Sequence, residues 1–189
     1  MRRQAILAVA LTAASLAAPG CGLPSGPVEV RPEDLPFTLG SPQPPGSPEE
    51  EVLRVYFVRA GRLVEVSRKL SSDETPSETA MRLLLKGPAS DERGAGISSK
   101  IPVGTELLEV QVFDRIAQVD VSAEFEAPAR PQSVLLRLAQ VVWTLVALPD
   151  ITAVRFVVDG EPIAVTTDRG TVVERPVTAP DYGTVAPPG

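Results

Sequence analysis

The chain has 189 residues, among them 20 prolines, one cysteine and no histidine, with a formal charge of −6 at pH 7. That inventory excludes imidazole acid–base chemistry, a disulfide, and metal or haem sites built on imidazole or paired thiolates. An acidic chain also repels phosphate backbones, so no nucleic-acid partner is expected.

Met1, Arg2 and Arg3 precede an apolar run from Ala5 to Ala18, so residues 1–20 have the shape of a secretory signal peptide. The residues that follow, Ala18, Pro19, Gly20 and Cys21, resemble the lipobox of bacterial lipoproteins, with Ala18 where lipoboxes favour leucine. The resemblance implies cleavage before Cys21 and a diacylglycerol on its thiol. Two acyl chains at about 0.8 kcal/mol per buried methylene hold a protein to a bilayer far more firmly than one. The expected location is therefore the extracytoplasmic face of the cell membrane, lipid-anchored. Between Gly22 and Glu50 stand eight prolines and no helical or strand period, so residues 21–50 read as a lipidated cysteine and a tether. Extended polyproline II rises about 3.1 Å per residue, which gives this tether a reach of up to roughly 90 Å.

A folded domain is expected over residues 51–178. Val52–Ala60 and Leu63–Ser67 are rich in strand formers and flank Gly61 and Arg62, which predicts a hairpin. Helix signals are strongest at Pro76–Lys86, where Thr75 caps, Pro76 opens, Glu78 completes a capping box, and Gly87 with Pro88 stops the helix. Residues 89–105 read as a loop with a short helical turn near Asp91. Strands follow at 107–113 and 117–121, joined at Asp114–Arg115. That pair matches a tight primed turn poorly, so a longer loop or a bulge is expected.

The longest periodic stretch is Gln132–Leu148. Its polar residues Ser133, Arg137, Gln140 and Thr144 fall four, three and four apart and form one narrow stripe. The rest of its circumference is apolar, so the helix must be buried. At about 17 residues, broken by Arg137, it is too short to cross a bilayer, which takes roughly 20. A strand at 153–158 then meets Asp159–Gly160, a strong hairpin turn, with Ile163–Val165 as the return and Pro162 pushing it to an edge. A short strand is expected near Thr171–Glu174. Past Pro176 the chain reads as loose, with residues 179–189 a flexible tail.

Alternation sets the architecture. Leu108, Val110, Val112, Ala117, Val119, Val121, Val154, Phe156 and Val158 share one face; Glu109, Gln111, Gln118, Asp120 and Arg155 share the other. One apolar face predicts an α+β fold, an antiparallel sheet with two helices on one face, in the order ββαββαββ.

Five segments in order, MRLLLKGP (81–88), ISSKIPVGT (97–105), VDVS (119–122), AQVVWTL (139–145) and VRFVVDG (154–160), resemble the GerMN domain of sporulation and spore germination. The resemblance spans about residues 52–178, and RPVTAPDY (175–182) also looks like the tails of actinobacterial lipoproteins carrying the domain. It implies an αββαβ core related to the ring-building motif of secretion machines, with the outer hairpins as additions. It also implies an extracytoplasmic protein that assembles with or positions other envelope proteins. No catalytic residue comes with the family, so neither an enzyme nor a cofactor is expected; many relatives also have a second domain that is not seen here.

Other chemistry has thinner support. Asp120, Glu124 and Glu126 gather near one strand end and Asp159 and Glu161 flank a turn, the raw material of a carboxylate-dependent envelope hydrolase. Turn and strand-exit roles account for the same residues. Ser98, Ser99 and Lys100 do not have Ser-x-x-Lys spacing, and Gly94 and Gly96 lack the third glycine and preceding strand of a dinucleotide site. The most concrete binding expectation is the polar sheet face, Glu109, Gln111, Gln118, Asp120 and Arg155, which would meet an envelope protein partner and leaves self-association open. The alternatives are the hydrolase and a small-ligand-binding lipoprotein.

Overall fold

The computed structural model describes residues 52–70 and 75–188. The signal peptide, Cys21 and the proline-rich tether lie outside the described residues.

Strands β1 (Val52–Arg59) and β2 (Arg62–Lys69) form an antiparallel hairpin in a sheet of their own. Helix α1 (Pro76–Lys86) begins and ends where its signals lie: Thr75 Oγ1 accepts the Glu78 N–H at 3.4 Å, and Gly87 ends the helix at φ 81°. Only a residue without Cβ takes that conformation cheaply. The short α2 (Ser90–Gly94) fulfils the turn expected near Asp91. Its Glu92 holds Arg68 of β2 through two hydrogen bonds of 2.7 and 2.6 Å, which staples the hairpin to the loop region.

Strands β3 (Leu107–Phe113) and β4 (Ile116–Val121) pair antiparallel, and a 3-10 turn at Ala123–Glu126 leads to α3 (Pro131–Val146). Strand β5 (Ala153–Val158) returns beside β4, and β6 (Glu161–Pro162) pairs with β5, so the sheet order is β3-β4-β5-β6. A small pair, β7 (Val165–Thr166) with β8 (Val172–Val173), and a 3-10 helix at Ala179–Val185 complete the chain. The segment from α1 to β5 contains the expected αββαβ order. The fold is α+β.

Several expectations need correction in detail. β4 and β5 run parallel, not antiparallel, because α3 is a crossover long enough to carry the chain back to the starting end. Asp114 and Arg115 make a two-residue turn after all: both adopt positive φ, 49° and 64°, and Phe113 pairs directly with Ile116. The irregularity lies at the other end of β3, between Leu107 and Glu109, where Leu108 is extruded and 49% exposed. Leu108 therefore leaves the inward row, and Val112 at the sheet edge is also exposed. The return after Asp159–Gly160 is Glu161–Pro162; Val165 instead pairs with Val173. The tail is not loose. Val177 bridges Val154, and the 3-10 helix buries Tyr182 and Val185.

The core forms where α1 and α3 cover the inward faces of β1, β4 and β5. Met81 and Leu84 of α1, Val141, Val142 and Leu145 of α3, and Val119, Val154 and Phe156 are all buried. Each large aliphatic side chain so placed stabilises the fold by about 2 kcal/mol of transfer free energy.

Candidate interaction surface

The five polar residues expected to share a sheet face do share it. Gln111 stands opposite Gln118, which stands opposite Arg155, so three residues form one row across β3, β4 and β5. Glu109 stands opposite Asp120 in a second row. The bulge does not disturb this, because it falls before Glu109. Gln111 Nε2 donates to Glu109 Oε1 at 2.5 Å along the strand. Asp120 Oδ1 accepts the Gly160 N–H at 3.2 Å, so this carboxylate also steadies the β5–β6 turn. Arg155 forms no ion pair among the described residues, because Asp120 stands opposite Val157 and not opposite Arg155. The face therefore presents one cation and two carboxylates, only partly committed to one another, on a platform of hydrogen-bonded backbone.

The other candidates serve local structure. Glu124 is exposed, and hydrogen bonding to the Ser122 hydroxyl and to its own backbone holds its carboxyl below the usual range. Asp159 occupies a left-handed turn position at φ 48°. Ser98 bridges to Val58 through both of its backbone groups at 2.8 Å, Ser99 Oγ accepts the Ile101 N–H, and Lys100 donates its N–H to Gln140. Among the described residues, no three Asp or Glu side chains converge as a metal cage would require. No helix among them is long and apolar enough to cross a membrane.

What the sequence did not disclose is the role of the polar stripe on α3. Thr144 Oγ1 accepts the Tyr56 N–H at 3.0 Å, and Gln140 Nε2 donates to the Tyr56 carbonyl at 3.2 Å. Both polar groups on one side of Tyr56 in β1 are thus satisfied by helix side chains. Arg137 donates to the carbonyls of Lys100, Phe125 and Ala127, and burial pulls its guanidinium below its ordinary value. A cleft of about 290 Å³ opens beside Arg137, Phe125 and Ile163. The stripe is a buried polar seam that joins β1, the 97–105 loop and the 3-10 turn to one helix.

The domain is thus α+β, with α1 and α3 over the apolar sheet face and a half-exposed polar face opposite, where Val157 beside Asp120 is buried. The sequence profile of the Germane family, described as sporulation and spore germination, matches residues 54–164, and the chain belongs to that family. Three solved structures share its fold. The tandem GerMN domains of the sporulation protein GerM from Bacillus subtilis align with a TM-score of 0.54 and 21% identity over 69% of this chain and 45% of that one. The first GerMN domain of the same protein gives 0.52 and 21%, covering 60% of this chain and 86% of that one. A candidate lipoprotein from Clostridium perfringens gives 0.51 and 17%, covering 71% and 91%. The chain thus spans less than half of the tandem-domain structure. No curated protein matches it.

Proposed function

We propose that this chain is a lipid-anchored extracytoplasmic protein whose GerMN-type domain acts as a protein-interaction and assembly module of the cell envelope. The observation that carries the reading is the polar sheet face: two aligned rows of charged and amide side chains on a fold whose other sheet face is occupied by its own helices. Family membership supports an assembly role over a catalytic one, since the domain brings no catalytic residues with it. The leader and Cys21 support an anchor at the outer face of the membrane.

Crosslinking and affinity capture from intact host membranes test both halves. Wild-type protein should capture a defined envelope protein, and Cys21→Ala should lose it along with membrane retention. The double reversal Asp120→Lys with Arg155→Glu should abolish capture. Its thermal midpoint should fall only slightly, because the lost Gly160 bond is exposed and contributes about 1 kcal/mol or less. Asp120→Asn, which keeps an acceptor for Gly160, controls for that bond. Capture that survives the double reversal would remove the sheet face from the interaction. No partner with either form would return small-ligand binding to the front.

A further inference from the structure

Strand β3 ends the four-stranded sheet, and its outer edge has no bridge to any described residue. Its polarity follows from the register. A two-residue turn makes Phe113 and Ile116 the pair that exchanges hydrogen bonds, so Gln111–Gln118 and Glu109–Asp120 do the same. β4 agrees: the carbonyls of Arg115, in the turn just before it, and of Val121 turn the other way and accept Thr152 and Asp159 N–H groups near β5. The N–H and C=O groups of Val110 and Val112 therefore point outward from the sheet.

Beneath that edge lies a groove of about 480 Å³ between β3, the start of α1 and the turn after α3. Val110, Val112, Leu148 and Ile151 line it, and among the described residues its only charged lining side chains are acidic, Glu78 and Asp150. Three of the six large apolar side chains exposed among the described residues, Leu108, Val112 and Phe113, belong to this one strand. Edges that must stay unpaired are usually blunted with inward charge, proline or cover; residues 110–113 contain no charge or proline, and no strand among the described residues covers their edge.

We infer that the β3 edge takes up an extended protein segment as an added strand, one with small or β-branched apolar side chains at alternate positions and flanking Lys or Arg. Backbone pairing at Val110 and Val112 supplies the affinity, and the groove receives every second side chain. Charge selects the occupant. A second copy of β3, LLEVQVF, would bring another glutamate and no cation to Glu78 and Asp150, whereas a basic-flanked strand neutralises both. The inference rests on the interaction reading above and gives it a binding mode distinct from the polar face.

The test is selection of a displayed random octapeptide library on the full chain in detergent micelles, with Val112→Pro as the counter-target. Proline there removes one outward N–H and none of the β3–β4 bonds. Enriched peptides should alternate apolar with polar residues and carry Lys or Arg. A synthesised winner should bind at least tenfold more weakly to Val112→Pro, or when N-methylated at alternate residues, and about threefold more weakly to Asp150→Lys. Should circular dichroism show Val112→Pro unfolded, Val112→Lys replaces it. The inference fails if nothing is enriched over the counter-target, if winners are acidic, or if wild type dimerises and Val112→Pro does not. The Asp120 and Arg155 reversals should bind the peptide as wild type does. Loss of membrane capture by those reversals, with no peptide binding, would leave the assembly reading standing and remove the strand-addition mode.

Discussion

Tyr56 and Arg137 show how much single residues decide here. Thr144→Val leaves the buried Tyr56 N–H without an acceptor, and about 1–3 kcal/mol should be lost in denaturant unfolding. Arg137→Met frees the arginine of its burial cost but strands three carbonyls. The charged hydrogen bonds should outweigh that relief, with a net loss of about 2 kcal/mol and faster amide exchange over 123–127. Arg137→Lys should not restore it, since one ammonium cannot span three carbonyls as a planar fork does. The spacing of Arg137, Gln140 and Thr144 was legible in the sequence, and so was the burial of their helix. Their partners were not, because side chain to backbone bonds that cross 10 to 88 residues leave no local pattern. Asp114 and Arg115 were misread for the opposite reason. Residue preference argued against a tight turn, yet the inward alternation on both sides requires an even-numbered connection, and the two residues here adopt the positive φ that the shortest one needs.

Among the elements, the closing 3-10 helix departs furthest from expectation. Proline, alanine and glycine made residues 179–189 look loose, but one aromatic decides: Tyr182 is fully buried, and the helix packs on α3. Tyr182→Ala should cost about 3 kcal/mol, measured as a lowered denaturation midpoint. The same element carries a pH dependence. Hydrogen bonding to Arg175, with further bonds from Thr178, lowers the Asp181 carboxyl from 3.8 to about 2. A depressed carboxylate stabilises the fold fully above its unfolded value, and that contribution drains away as pH falls from about 4 through 2. Asp181→Asn should therefore flatten the acid limb of stability against pH. On the alkaline side, burial raises the Tyr182 hydroxyl above its ordinary 10, so stability should decline once the unfolded tyrosine ionises above that pH. The helix and strand cores were readable because caps and alternation are local signals. The short strand expected near Thr171–Glu174 is β8, but β6 and β7 were placed otherwise, since two-residue strands are set by tertiary contact.

At the scale of the whole molecule, alternation placed most inward residues of β4 and β5 but not Leu108, extruded by the bulge, nor Val157, buried on the polar face. The parallel β4–β5 pair required knowing where α3 returns the chain. The anchored reading predicts that Cys21→Ala moves the protein from the membrane pellet to the soluble fraction in fractionated cells. The bonds between Tyr56 and α3 also bear on the order of events during synthesis. The hairpin of β1 and β2 emerges first, yet the groups that complete Tyr56 lie 84 and 88 residues further along. Until α3 arrives, one flank of the earliest strand has its N–H and C=O open to water or to another chain. The domain cannot mature in the order it is made; its first-made piece is finished by a helix made 84 to 88 residues later, and a chain stalled before residue 144 would be the form that aggregates.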